Sequence, residues 1–197
     1  MDRDASLPEG FSHRLTAETF NKMIEADLFA WDDRVGLWDG FIYQKMPRGY
    51  AHHMLPTVVL HTLLDQLPDG WFVGWEQSVE LGAYHLPLVD LVVVQGRPDR
   101  YRDHWPRPDE IALVLEWVRD GLRIHPQVKL AGFAEAGVPS YWALDLDEHV
   151  IRTHEGPSRD ERRYAREAVH PLGQPVPLRL GDEAVIQIPT IDLIPFC

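Results

Sequence analysis

Two acidic residues stand inside otherwise apolar runs of this 197-residue chain. Asp90 interrupts Pro87-Leu88-Val89-Asp90-Leu91-Val92-Val93-Val94, and Glu116 follows directly on Ile111-Ala112-Leu113-Val114-Leu115. Continuously apolar runs of this length are expected of central strands covered on both faces. An ionised carboxylate at the edge of such a run is costly to bury unless a cation or several donors meet it. Arg119 or Arg123 could serve Glu116 alone; two such acids on two apolar strands point to a cation shared between them.

The elements that position these acids read from the same pattern. After an Asp120-Gly121 turn, Pro126 suits a first helical position, and Val128, Ala131 and Ala134 give the helix one apolar stripe. Gly137 and Pro139 stop it. Ser140-Tyr141-Trp142-Ala143-Leu144-Asp145 is then a strand reached by a crossover. Upstream, Thr16 caps a helix near residues 17 to 29, whose apolar positions are Phe20, Met23, Ile24 and Leu28. Asp39-Gly40 turns a hairpin between Val35–Trp38 and Phe41–Lys45. A second helix lies within Tyr50 to Leu67, ended by Pro68-Asp69-Gly70. Trp71–Trp75 and Gln77–Leu81 are extended, and Arg97 to Glu110 is a charged surface loop. Val150–His154, Arg163–Ala165 and Ala184–Ile188 are further strands, with turns at Gly156-Pro157 and from Pro171 to Pro177. The order predicts an α/β or α+β fold: a central sheet flanked by helices, with a short C-terminal β addendum. Residues 1–13 are expected to be a flexible lead-in and 14–197 a single domain.

Composition narrows the classes of function. Cys197 is the only cysteine, so neither an internal disulfide nor a CxxC metal knuckle is available, which suits a reducing cytoplasm. The charged amino terminus does not resemble a signal peptide, and no apolar run approaches the length of a membrane span. A net charge of -12 opposes a polyanion at long range. No histidine pair has i, i+4 spacing with an adjacent glutamate, which argues against a zinc protease. The seven tryptophans are scattered through the expected elements and read as packing rather than a base-stacking platform.

The chain resembles the Uma-type restriction-endonuclease-like family of the PD-(D/E)XK nuclease superfamily. The resemblance runs through Leu15–Glu18, Trp38-Asp39-Gly40, Pro47–His52, Val89–Val93, Val114–Val118, Lys129 and Ala136–Asp145. It implies a restriction endonuclease-like fold with a central mixed sheet, and a site in which Asp90 and Glu116 bind Mg²⁺ or Mn²⁺. A hard divalent cation takes carboxylate oxygens and keeps several waters, one of which can attack a phosphodiester. The superfamily places a lysine two residues after the second acid, which is Val118 here; the family resemblance instead assigns the catalytic lysine to Lys129 on the following helix. His52 matches a position near the second helix that could line the cleft or touch nucleic acid, and Glu76 and Glu80 are further acids on the strand before Asp90.

Departures from the family pattern keep two readings open. Gly36 and Phe41 stand where glutamates are common, His125 where an aspartate is usual, and Arg119 to Ile124 replace a serine- and threonine-rich loop. One reading is a Mg²⁺-dependent endonuclease acting on DNA, hydrolysing phosphodiester bonds in the cytoplasm. The other is a catalytically degenerate nuclease fold kept as a binding or interaction module; either is expected as a homodimer.

Overall fold

A computed structural model describes residues 13–30, 32–45, 55–118, 126–171, 173–182, 184–190 and 193. Helix α1 (Ala17–Glu25) begins at Thr16, whose hydroxyl accepts from the Thr19 N–H at 3.1 Å. It ends four residues short of the expected 29, and Leu28 is 64% exposed rather than part of its apolar series. Strands β1 (Val35–Trp38) and β2 (Phe41–Gln44) pair antiparallel about Asp39 and Gly40, with φ of 53° and 77°, the left-handed pair that a tight hairpin needs. Helix α2 (Leu55–Gln66) follows; residues 50–54 of the expected helix, His52 among them, lie outside the described residues.

Six strands form the central sheet in the order β3-β4-β5-β6-β7-β8. They are β3 (Trp71–Ser78), β4 (Leu88–Gln95), β5 (Ile111–Val118), β6 (Ser140–Asp145), β7 (Val150–Ser158) and β8 (Arg163–Pro171). Only β5 and β6 are parallel, joined by the connection that carries helix α3 (Pro126–Ala136). The two extended stretches expected at 71–75 and 77–81 are one strand ending at Ser78, in which Glu76 takes φ of 45°. The C-terminal addendum is smaller than the sequence suggested, because β7 and β8 extend the main sheet. What remains separate is a hairpin of β9 (Val176–Leu180) and β10 (Ala184–Ile188); β9 begins inside the stretch expected to be turn.

Each face of the sheet has its own core. On one face Leu91, Val93, Leu113, Leu115, Trp142 and Leu144 pack with Val59 and Leu63 of α2 and Leu178, Leu180 and Ile188 of the C-terminal hairpin. On the other, Val92, Val114, Tyr141 and Ala143 pack with Phe133 and Ala134 of α3 and with Trp38 of β1. The buried side of α3 therefore keeps Ala134 of the expected stripe but not Val128. Val128 is 48% exposed, whereas Lys129, Phe133 and Ala134 are buried, so the helix turns its one lysine inward. Gly132 permits this approach: a Cβ there would lie 2.5 Å from Trp38 Cζ2. The β1–β2 hairpin and α3 thus press together over the face on which the acids lie. Among the described residues no helix is long and apolar enough to cross a membrane.

Candidate active site

Strand register brings the acids into one row. The β4–β5 ladder pairs Val92 with Val114 and Leu91 with Leu115, so the next step sets Asp90 opposite Glu116. The β3–β4 ladder pairs Trp75 with Leu91 and Gln77 with Val89, which sets Glu76 opposite Asp90. Directly opposite residues of an antiparallel pair share a face, and like charges in that position repel. Asp90 and Glu116 are nonetheless buried, 6% and 4% exposed.

Three cations from outside the strands offset that repulsion. The Arg34 guanidinium, just before β1, lies 2.6 Å from Glu76 Oε1 and 3.5 Å from Asp90 Oδ1. Lys45, just after β2, places Nζ 2.9 Å from Asp90 Oδ1 and 3.5 Å from Glu116 Oε1. Lys129 Nζ donates to both oxygens of Glu116, at 2.9 and 2.7 Å. Asp90 Oδ2 accepts from the Trp117 N–H at 3.1 Å, which fixes the carboxylate across the strand gap. Among the described residues, cations therefore alternate with acids along the row, three of each.

Tyr43 closes one side. Its ring centroid is 5.6 Å from Lys129 Nζ and its hydroxyl donates to the Leu88 carbonyl at 3.4 Å. Burial, reinforced by the neighbouring Glu116 charge, raises its pKa well above the ordinary tyrosine value. Tyr141 is pushed the same way, by burial first and then by Glu116 and Asp90, so both phenols stay protonated beside the acids. Gly36, one of the departures from the family pattern, is explained here: a Cβ would lie 2.8 Å from the Tyr43 ring and from the Leu88 nitrogen, so this position is given over to the tyrosine.

Of the residues singled out in the sequence, the fold brings together Asp90, Glu116, Lys129 and Glu76. Glu80 is not with them: it lies beyond the end of β3 and pairs with Arg107 at 3.2 Å. His52, Arg119, Arg123 and His125 lie outside the described residues. Among the described residues, the partners of Glu116 are Lys129 and Lys45. Arg34, Tyr43 and Lys45 were missed because they flank or sit in a short, half-exposed hairpin, where a basic residue ordinarily faces water. The signal available was indirect: two acids in apolar strands demand cations, but nothing in the sequence says which.

Among the described residues no three His, Cys, Asp or Glu side chains converge tightly enough to form a ready-made metal cage. The donor set still fits a hard divalent cation. Asp90 Oδ1 and Glu116 Oε1 converge on one positive centre, the Lys45 ammonium, and Mg²⁺ is commonly held by one or two carboxylates with water completing its shell.

The profile of the Uma2 family, described as "Putative restriction endonuclease", matches residues 17–188. A crystal structure of a protein from Anabaena variabilis ATCC 29413, titled a "putative nuclease belonging to DUF820", is similar in fold with a TM-score of 0.66. It shares 17% identity over 92% of this chain and 98% of that one. No curated protein sequence matches. The match over residues 17–188 settles the assignment: this protein belongs to the Uma2 family.

Proposed function

We propose that the protein is a divalent-metal-dependent endonuclease that hydrolyses DNA phosphodiester bonds, with Asp90 and Glu116 as metal ligands and Asp90, Glu116 and Lys129 as the catalytic set. The observation that carries this reading is the convergence of Asp90 Oδ1 and Glu116 Oε1 on one cationic centre, with the Lys129 amine hydrogen-bonded beside it. Mg²⁺ or Mn²⁺ held there supplies an activated water and offsets charge on the phosphate. The protein's own groups do the rest. The Trp117 N–H holds Asp90 in place, and Glu116 orients Lys129 through two hydrogen bonds. Lys129, with its charge held in a buried site, stabilises the negative charge that grows on the phosphoryl oxygens. The protonated phenols of Tyr43 and Tyr141 add no negative charge to this row.

Net charge -12 sets the terms of substrate binding. A divalent ion bound at this row, whose described acids and bases balance, makes it locally positive within a negative molecule. Association with DNA is then weak, metal-dependent and steeply reduced by salt. A homodimer in the cytoplasm, presenting one site to each strand of a duplex, completes this reading. The competing reading, a nuclease fold kept as a binding module, draws on the same balance: the row is electrically compensated without metal.

A plasmid-nicking assay at low salt with Mg²⁺ or Mn²⁺ separates the two. Wild type should nick, and Asp90→Ala, Glu116→Ala and Lys129→Ala should not, while Lys22→Ala on the exposed face of α1 retains activity. Equal nicking by all variants, or none by wild type on duplex or single-stranded DNA, would overturn the endonuclease reading.

A further inference from the structure

The three cations of the acid row are not held alike. Lys129 makes two directed hydrogen bonds to Glu116. Lys45 sits 2.9 Å from Asp90 Oδ1, yet its buried Nζ finds no well-directed hydrogen bond among the described residues. It is held by charge, between carboxylate oxygens that reach it from two neighbouring strands, at 2.9 Å from Asp90 and 3.5 Å from Glu116. Its side chain is 10% exposed, so its ammonium has given up most of its water for that position. It is also at the end of β2, where the strand ladder with β1 has stopped at Gln44 and the backbone bond from the Lys45 N–H to the Arg34 carbonyl continues.

From this we infer that Lys45 is a resident counter-cation of the Asp90–Glu116 pair and that a divalent metal loads the site by displacing it. The inference rests on the metal-dependent reading above and adds a residue that controls loading. The physical ground is exclusion: two positive centres cannot share the space between Asp90 Oδ1 and Glu116 Oε1, and at contact distance the repulsion between them is large in a buried site. The double charge of the metal and its direct bonds to oxygen favour it over an ammonium that makes no directed hydrogen bond. Lys129 stays, because it approaches Glu116 from α3 and is anchored through both oxygens. Lys45 thus keeps the two acids compatible with a folded, metal-free protein, at the expense of metal affinity. Its neutral replacement reverses both effects: the carboxylates repel in the apo state, and the metal meets no competitor.

The test is calorimetric titration of the full chain with Mn²⁺, comparing wild type, Lys45→Met and Lys45→Gln, with amine acylation and mass spectrometry as a second readout. Both variants should bind Mn²⁺ at least tenfold more tightly than wild type, and should melt at lower temperature without metal but gain more from it. In wild type, acylation of Lys45 should rise on Mn²⁺ saturation, while Lys129 remains protected. That second readout separates displacement from a mere change of local charge, since a lysine that stays between the acids remains unreactive. If wild type and variants bind equally well, or Lys45 stays protected in the loaded protein, the displacement is wrong while the metal site stands. If none of the three binds Mn²⁺, the metal-dependent reading falls and the displacement with it.

Discussion

Leu91 and Leu115 face each other across β4 and β5, and one residue away along the same two strands Asp90 faces Glu116. The first pair is fully buried among side chains from α2, β6 and the C-terminal hairpin. The second pair is almost as deeply buried, but its partners are Arg34, Lys45 and Lys129, delivered by the flanks of the hairpin and by α3. Burial of an apolar side chain is non-directional, so many neighbours of the right volume would serve. Burial of a carboxylate is tolerable only with specific groups at specific distances. Both faces carry an apolar core, but only the acid face also depends on three separate segments bringing charged groups to the right places.

The contrast can be broken or sharpened in order of expected effect. Glu116→Ala and Lys129→Ala should lower cleavage by about a hundred- to a thousandfold or more, with far-UV circular dichroism retained. Loss of cleavage only in proportion to loss of fold would deny the row any role beyond structure. On the opposite face, Trp142→Ala should cost about 3–5 kcal/mol in urea unfolding, and nicking per folded molecule should be unchanged; a specific loss of activity there would dissolve the distinction between the faces.

The charged pair is next. Among the described residues Lys129→Met leaves Glu116 with the more distant Lys45 and should destabilise by about 3 kcal/mol, whereas Glu116→Leu combined with Lys129→Met should be near neutral. A double variant as unstable as the sum of the singles would mean that the pair is not coupled. Gly132→Ala should cost about 1–3 kcal/mol through overpacking against Trp38 and depress cleavage further by shifting α3. Trp38→Leu should restore part of both, and failure of that rescue would mean that the contact does not set the position of Lys129.

The smallest effect is a pH dependence. Burial lowers the pKa of His154, which packs beside Tyr141 and Tyr164. The unfolded chain takes up this proton more readily than the native one, so stability is level above the unfolded value and falls as pH drops through it toward the folded pKa. His154→Asn should flatten the decline of the urea midpoint between about pH 7 and pH 5, with His85, also lowered by burial, leaving part of the slope. An unchanged slope would remove His154 from the account.

By itself the sequence determined the two central strands β4 and β5 and the demand for charge, whereas it read turns at Gly156-Pro157 and up to Pro177 where β7 runs on and β9 begins. The runs around Leu88–Val94 and Ile111–Leu115 are apolar enough that only central strands can hold them, and the Asp39-Gly40 turn specifies its hairpin through local backbone geometry alone. Asp90 and Glu116 stood out for the same local reason, as charges in segments that must be buried. What the tertiary structure decided was everything that depends on register and on the docking of distant segments. Periodicity suggested Val128 for the inner side of α3, but the approach of Gly132 to Trp38 turned Lys129 and Phe133 inward instead. Glu76 joined the row through pairing across β3 and β4 while Glu80, four residues on, was left to Arg107. Arg34 and Lys45 carry no local mark of burial, because the space they fill is created only when the hairpin folds over the sheet. A buried charge announces that it needs a partner, and only the assembled chain determines which one arrives.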